Sequence, residues 1–208
     1  MPRQKKEPNA RNTYRYYKCV IGIDQSYTRT GITICVDGKP KKLISIRFKG
    51  KYNKSAKRKE VKRVLTKILE LCCGKYGNEN VVIICERIRT YTAGTDLRPS
   101  VIKAHSALVA YIVDTGTDFA VKTFSVDTRA WKHRVLGTSK PEFEPIKGVK
   151  NPQKFGSVRK AIELGFEKDL RIENHLGHLR SYDDDMADSL CISLYGFSGP
   201  PYALIIEE

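Results

Sequence analysis

The sequence predicts an α/β fold: a five-stranded mixed sheet, its first three strands antiparallel, with helices on both faces. Three observations carry this expectation. Three runs open the chain, CVIGID (19–24), TGITICV (30–36) and KLISIRF (42–48), and a DGKP turn signal (37–40) joins the last two. Short turns of this kind connect antiparallel neighbours. Two later runs, VVIIC (81–85) and FAVKTFSV (119–126), alternate with helical patterns. VVIIC is apolar throughout, as suits a central strand covered on both faces. The element order is β-β-β-α-β-α-β-α-α-α, and such an order packs helices against a mixed sheet.

Each element follows from its residues. CVIGID reads as a fully buried strand, TGITICV as its neighbour across a short turn, and KLISIRF alternates. Val61, Val64, Leu65, Ile68, Leu69 and Cys72 recur at helical spacing and predict a helix over 56–73, ended by KYGNEN. The loop RIRTYTAGTDLRP follows VVIIC. A helix over 100–114 carries an apolar stripe of Val101, Ala104, Leu108, Tyr111 and Ile112, which serves the core in the first reading and a partner surface in the alternative. A short helix surrounds DTRAWKHRVLG (127–137), with Trp131 in the core. A polar loop spans 138–152, and helices cover 154–166 and 183–195. Residues 1–17 read as a flexible basic arm and 18–208 as one domain.

The chain of 208 residues is 40% hydrophobic, enough to bury a core. No apolar run reaches the ~18 residues of a membrane span. The basic N-terminus lacks the apolar centre of a signal peptide. The six cysteines sit mostly in apolar runs without a CxxC pair, which points to reduced core thiols in a cytoplasmic protein. Net charge is +15, with basic stretches at 3–18, 39–42, 49–63 and 147–160. A polyanion is the natural partner, because cations that neutralise phosphates release counterions. His175 and His178 in NHLGHL lack further ligands nearby and are not read as a metal site.

The acids carry the chemistry. Asp24 and Glu86 each end an apolar strand. If those strands are parallel neighbours, both carboxylates emerge at the edge where open α/β sheets bind ligands. In YDDDMADSLCISLYG (182–196), Ala187, Leu190, Cys191 and Leu194 form a core stripe, and Asp185 and Asp188 share one flank. Asp183 and Asp184 suit a helix N-terminus. Asp188 lies past the first turn, beside the stripe, where an unpaired carboxylate is costly. Four converging carboxylates without His or Cys call for a hard cation, Mg²⁺ or Mn²⁺. Two such ions activate water and stabilise a leaving oxygen in phosphodiester cleavage.

In GIDQSYTRTGITI (22–34), VVIICERI (81–88) and DDMADSLCISLYG (184–196) the chain resembles the RuvC family of Holliday-junction resolvases, of the ribonuclease H-like superfamily. The resemblance spans nearly all of the chain after the arm. It implies Asp24, Glu86, Asp185 and Asp188 as metal ligands, the last pair keeping the family's spacing in preference to Asp184. It implies a homodimer that binds a four-way DNA junction and nicks two opposing strands. DTRAWKHRVLGTSK (127–140) resembles the family's basic segment, making Lys132 and Lys140 candidate phosphate or transition-state contacts, with a solvated basic face as the alternative. KFGSVRKAIELGF (154–166) resembles the helix beside the site, with Arg159 and Lys160 as candidate DNA contacts, and Lys103 is another. The family's aromatic after the Glu is replaced here by RIRTY, which leaves Tyr91 as the candidate, and the following loop is longer. The compact size and these departures are similar to phage or viral members.

The leading expectation is a metal-dependent, structure-selective endonuclease that resolves four-way junctions. A nuclease for flaps, other branched DNA or RNA–DNA hybrids would use the same acids. A non-catalytic nucleic-acid-binding module would be expected to lack at least one of them.

Overall fold

The computed structural model describes residues 13–25, 29–48, 54–87, 99–138, 143–197 and 203–206. Strand β1 (Thr13–Tyr16) lies within the segment read as an arm and pairs antiparallel with β9 (Ala203–Ile206). The main sheet contains β2 (Cys19–Gln25), β3 (Arg29–Val36), β4 (Lys39–Arg47), β5 (Val81–Glu86) and β6 (Lys122–Val126), in the order β4-β3-β2-β5-β6. The first three of these are antiparallel, and β2, β5 and β6 run parallel. Asp37 and Gly38 turn β3 into β4 with positive φ of 49° and 75°, the left-handed geometry a two-residue hairpin requires.

Alternation along β2 and β5 divides two cores. Cys19, Ile21, Ile23, Val81, Ile83 and Cys85 face helices α1 (Lys54–Tyr76) and α2 (Pro99–Asp118). Val20, Val82 and Ile84 face the other side, with α3 (Thr128–Leu136), α4 (Phe155–Glu163), α5 (Glu167–Leu170) and α6 (Asp184–Tyr195). Of the stripe expected on the first helix, Val61, Leu65, Ile68, Leu69 and Cys72 are buried, each full side chain worth about 1.5–3 kcal/mol. Trp131 is fully buried. The cysteines are all free, and only Cys73 is other than buried.

Local backbone chemistry moves some boundaries. The strand expected at 119–126 begins at Lys122, because Phe119 and Val121 both donate to Gly116 O and Ala120 takes a φ of 53°. The helix expected over 154–166 ends at Glu163, where Gly165 turns left-handed at 87°. Beyond it lie α5 and an unexpected hairpin, β7 (Arg171–Glu173) with β8 (Leu179–Tyr182). No helix among the described residues is long and apolar enough to cross a membrane.

Candidate active site

Strand register sets the first two acids. Cys19 through Ile23 pair with Val81 through Cys85, and one further step brings Asp24 level with Glu86. Both continue the face occupied by Val20, Val82 and Ile84, so both point toward α6. The Gln25 side-chain amide donates to the Glu86 carbonyl and ties the strand ends together.

Helix α6 reaches these acids because two glycines let it lie on the sheet backbone. A Cβ on Gly22 would stand 2.4 Å from Ser189 O, and one on Gly31 only 2.1 Å from Asp185 O. Gly31 is the cross-strand partner of Asp24. A buried hydrogen bond of 2.8 Å between Thr33 Oγ1 and Ser189 Oγ fixes the helix in that seat. Asp183 caps the helix: one oxygen accepts from Met186 N, and the other from Ser45 Oγ at 2.7 Å and Arg47 at 3.3 Å. Asp183, Asp184 and Asp185 can each bring one carboxylate oxygen within 4.8 Å of the others, close enough to share a metal ion. Both Asp183 oxygens already have partners, however.

Lys154 stands at the centre. Its Nζ is 2.5 Å from Asp188 Oδ2, 3.5 Å from Asp24 Oδ2 and 3.8 Å from Asp185 Oδ1. Arg29 Nε approaches Asp185 Oδ2 at 3.8 Å from the solvent side. Glu86 completes the group; its Oε1 accepts from the hydroxyl of Thr128, the first residue of α3. Lys154, Arg29 and Thr128 were not singled out from sequence. The signal for Lys154 was its place at the start of KFGSVRKAI, a segment expected to pack beside the acids.

Burial dominates the electrostatics. It pushes the Asp24 carboxyl well above its usual range against the opposing pull of Lys154, and Asp188, Glu86 and Asp185 push it further. Burial raises Asp185 to about 6, again opposed by Lys154. Glu86 is also raised by burial, with the Thr128 hydrogen bond opposing. Burial alone would lower Lys154, but Asp188 and Asp24 outweigh it and hold the ammonium well above its ordinary value. These acids are therefore short of positive charge. Asp24, Glu86, Asp185 and Asp188 carry −4 when ionised, Lys154 and Arg29 supply +2, and −2 remains.

The residues fit a divalent cation on independent grounds. Among the described residues, Asp188 Oδ1 is a buried oxygen without a hydrogen bond, and Asp24 Oδ2 has none either, only the Lys154 ammonium at 3.5 Å. Such atoms are costly unless something electropositive meets them. The donors are carboxylates alone, the set that suits Mg²⁺ or Mn²⁺.

The candidate nucleic-acid contacts are scattered. Lys103 is exposed on α2. Lys132 is 8% exposed, with Nζ donating to Gln153 O at 2.9 Å, so its observed partner is the backbone just before Lys154. Arg159 donates to Glu144 O at 3.2 Å, and Lys160 pairs with Glu163 at 3.6 Å. Lys160 also lines a cavity of about 860 Å³ with Lys18 and Asn80, at the end of the sheet away from the acids. Tyr91 and Lys140 lie outside the described residues.

No protein-family model and no curated protein sequence matches the chain. Solved structures do. T. thermophilus RuvC in complex with a Holliday junction substrate aligns with a TM-score of 0.59 and 11% identity, over 91% of this chain and 100% of that one. A second structure of Thermus thermophilus RuvC aligns at 0.55 and 12% identity, over 90% and 99%. The yeast mitochondrial Holliday junction resolvase Ydc2 gives 0.45 and 16%, over 86% and 78%. The fold is that of RuvC, a ribonuclease H-like fold.

Proposed function

We propose that this protein is a metal-dependent endonuclease that resolves four-way DNA junctions by paired nicks. One observation carries the reading: buried carboxylates from β2 and α6 gathered around a single lysine, with an Asp188 oxygen left without a hydrogen bond among the described residues. Support comes from the fold, whose likeness includes a RuvC bound to a Holliday junction substrate, and from a net charge of +15 suited to phosphate.

Asp24, Glu86, Asp185 and Asp188 would hold Mg²⁺ or Mn²⁺, up to two ions. When bound, the metal supplies an activated water and offsets charge on the leaving oxygen. The chain does the rest. Asp24 stands on a rigid strand, and Asp188 on a helix wedged against that strand, so their separation is fixed before substrate arrives. Thr128 orients Glu86. Lys154, within 3.8 Å of Asp24, Asp185 and Asp188, keeps the acids together until a cation arrives. Water attacks phosphorus in line as the bond from phosphorus to the 3′ oxygen breaks; that oxygen leaves and takes up a proton, giving a 3′-hydroxyl and a 5′-phosphate, which are ligatable ends. A homodimer places two such sites on opposing strands of one junction.

The test is cleavage of a labelled four-way junction beside matched duplex, flap and RNA–DNA hybrid, with Mg²⁺ and with EDTA. Symmetric nicks on the junction alone, abolished by EDTA, are expected. Preference for the flap or hybrid would move the substrate and keep the chemistry. Tight binding without cleavage of any substrate would leave a binding module.

A further inference from the structure

The β7–β8 hairpin enters nowhere in the chemistry above, yet its turn is built with care. Asn174 Oδ1 accepts from Leu176 N at 2.9 Å and from His178 N at 3.0 Å. Asn174 N donates to His178 O at 2.9 Å, and Gly177 N to Asn174 O at 3.1 Å. Gly177 sits at φ 78°. The turn presents Leu176 to solvent, 65% exposed. A single exposed leucine is ordinary; one held at the apex of a self-bonded turn is placed to meet something.

The setting indicates what. The hairpin is rooted at the active-site edge: Tyr182 ends β8, Asp183 follows as the α6 cap, and Asp183 N donates to Leu170 O at 2.8 Å. The loop that ends at Lys154 packs along the same strand. A Cβ on Gly148 would lie 3.5 Å from Leu179 and Ser181. Lys147 and Lys150 on that loop and Arg180 on β8 are exposed, and among the described residues none has an ion pair. Among the described residues, the acids on the same loop and hairpin, Glu144 and Glu173, pair with Arg159 at 3.8 Å and Arg171 at 3.1 Å. A protein partner would disfavour unpaired lysines at its interface. Phosphates favour them.

We infer that this hairpin is a DNA wedge: Leu176 packs against bases at the branch point while Lys147, Lys150 and Arg180 hold the phosphates beside it. Apolar side chains inserted between base steps open DNA in this way. From Leu179 to the α6 cap Asp183 the chain spans about 13 Å, or roughly four duplex steps, and the turn that carries Leu176 lies beyond Leu179 at the far end of β8. The inference rests on the junction-nuclease reading and names the surface that opens the branch.

The test uses the full chain and its Leu176→Asp and Leu176→Ala variants on two junctions. One is fully paired, with 2-aminopurine at the branch; the other has two unpaired nucleotides there. Leu176→Asp should cut the paired junction about tenfold more slowly, cut the pre-opened junction within about twofold of wild type, and give less 2-aminopurine fluorescence. Its melting temperature should not change, and Leu176→Ala gives the same comparison if it does. Wild-type cutting and fluorescence on the paired junction would overturn the inference, as would equal losses on both junctions. If the wild-type chain cuts nothing, the nuclease reading fails, while 2-aminopurine fluorescence still decides whether Leu176 opens bound DNA.

Discussion

Lys154 lies within 3.8 Å of three carboxylates from β2 and α6, and its removal should show at once. Lys154→Met leaves buried acids without their central cation, a change that costs about 3–5 kcal/mol in comparable settings. Thermal melting in EDTA should fall accordingly, and added Mg²⁺ should recover part of the loss. The acids also make stability depend on pH. The folded-state pKa of Asp185, about 6, is raised above its ordinary 3.8. Its stabilising contribution is therefore complete below pH ~4 and lost as pH rises through 6, roughly 3 kcal/mol at about 1.4 kcal/mol per pKa unit. Lys154 stays charged throughout that window, since its pKa is raised. Mg²⁺ should accordingly raise the melting temperature more at pH 8 than at pH 5, and equal effects at both would count against a carboxylate metal site. The acids themselves were visible in sequence because each interrupts an apolar pattern. Lys154 was hidden because one lysine among 38 basic residues carries no pattern, and only tertiary packing brings it to Asp24.

Helix α6 is the element that turns separate acids into a site, and the glycines beneath it set its distance from the sheet. Gly31→Ala would place a Cβ 2.1 Å from a helix carbonyl. The helix must shift, at an expected cost of about 1–3 kcal/mol. Because Asp185 and Asp188 move with it, cleavage should fall by more than the folded fraction does, read as activity per folded molecule from melting and rate together. At this scale the sequence was legible where periodicity was strong. The buried strands and α1 stand close to their expected positions, because full burial leaves long apolar runs. The β7–β8 hairpin was not legible: RIENHLGHLRSY has little alternation, and its turn is held by an Asn side chain. β1 and β9 escaped because their pairing joins opposite ends of the chain.

The whole molecule is a basic surface around a buried acidic point. With a net charge of +15, junction binding should fall steeply with salt; contact with six or more phosphates would cost about a thousandfold in affinity between 50 and 200 mM. A flat response, measured by fluorescence anisotropy, would remove the electrostatic basis of the account. The five strands of the mixed sheet and the antiparallel run of the first three were legible, because short turns leave few alternatives, whereas the order β4-β3-β2-β5-β6 comes from the structure. Which cations meet DNA was less so. Lys132 is buried against the backbone and Lys160 lines a cavity away from the acids, and neither placement leaves a trace in local sequence.

The central claim is that Asp24 and Glu86 hold the catalytic metal and contribute little to DNA affinity. The most direct measurement compares Asp24→Asn and Glu86→Gln with wild type, scoring junction affinity and cleavage in the same Mg²⁺ buffer. Affinity should stay within about threefold of wild type and cleavage fall at least a hundredfold, as when interactions specific to the transition state are lost. Cleavage by either variant at the wild-type rate would contradict the claim.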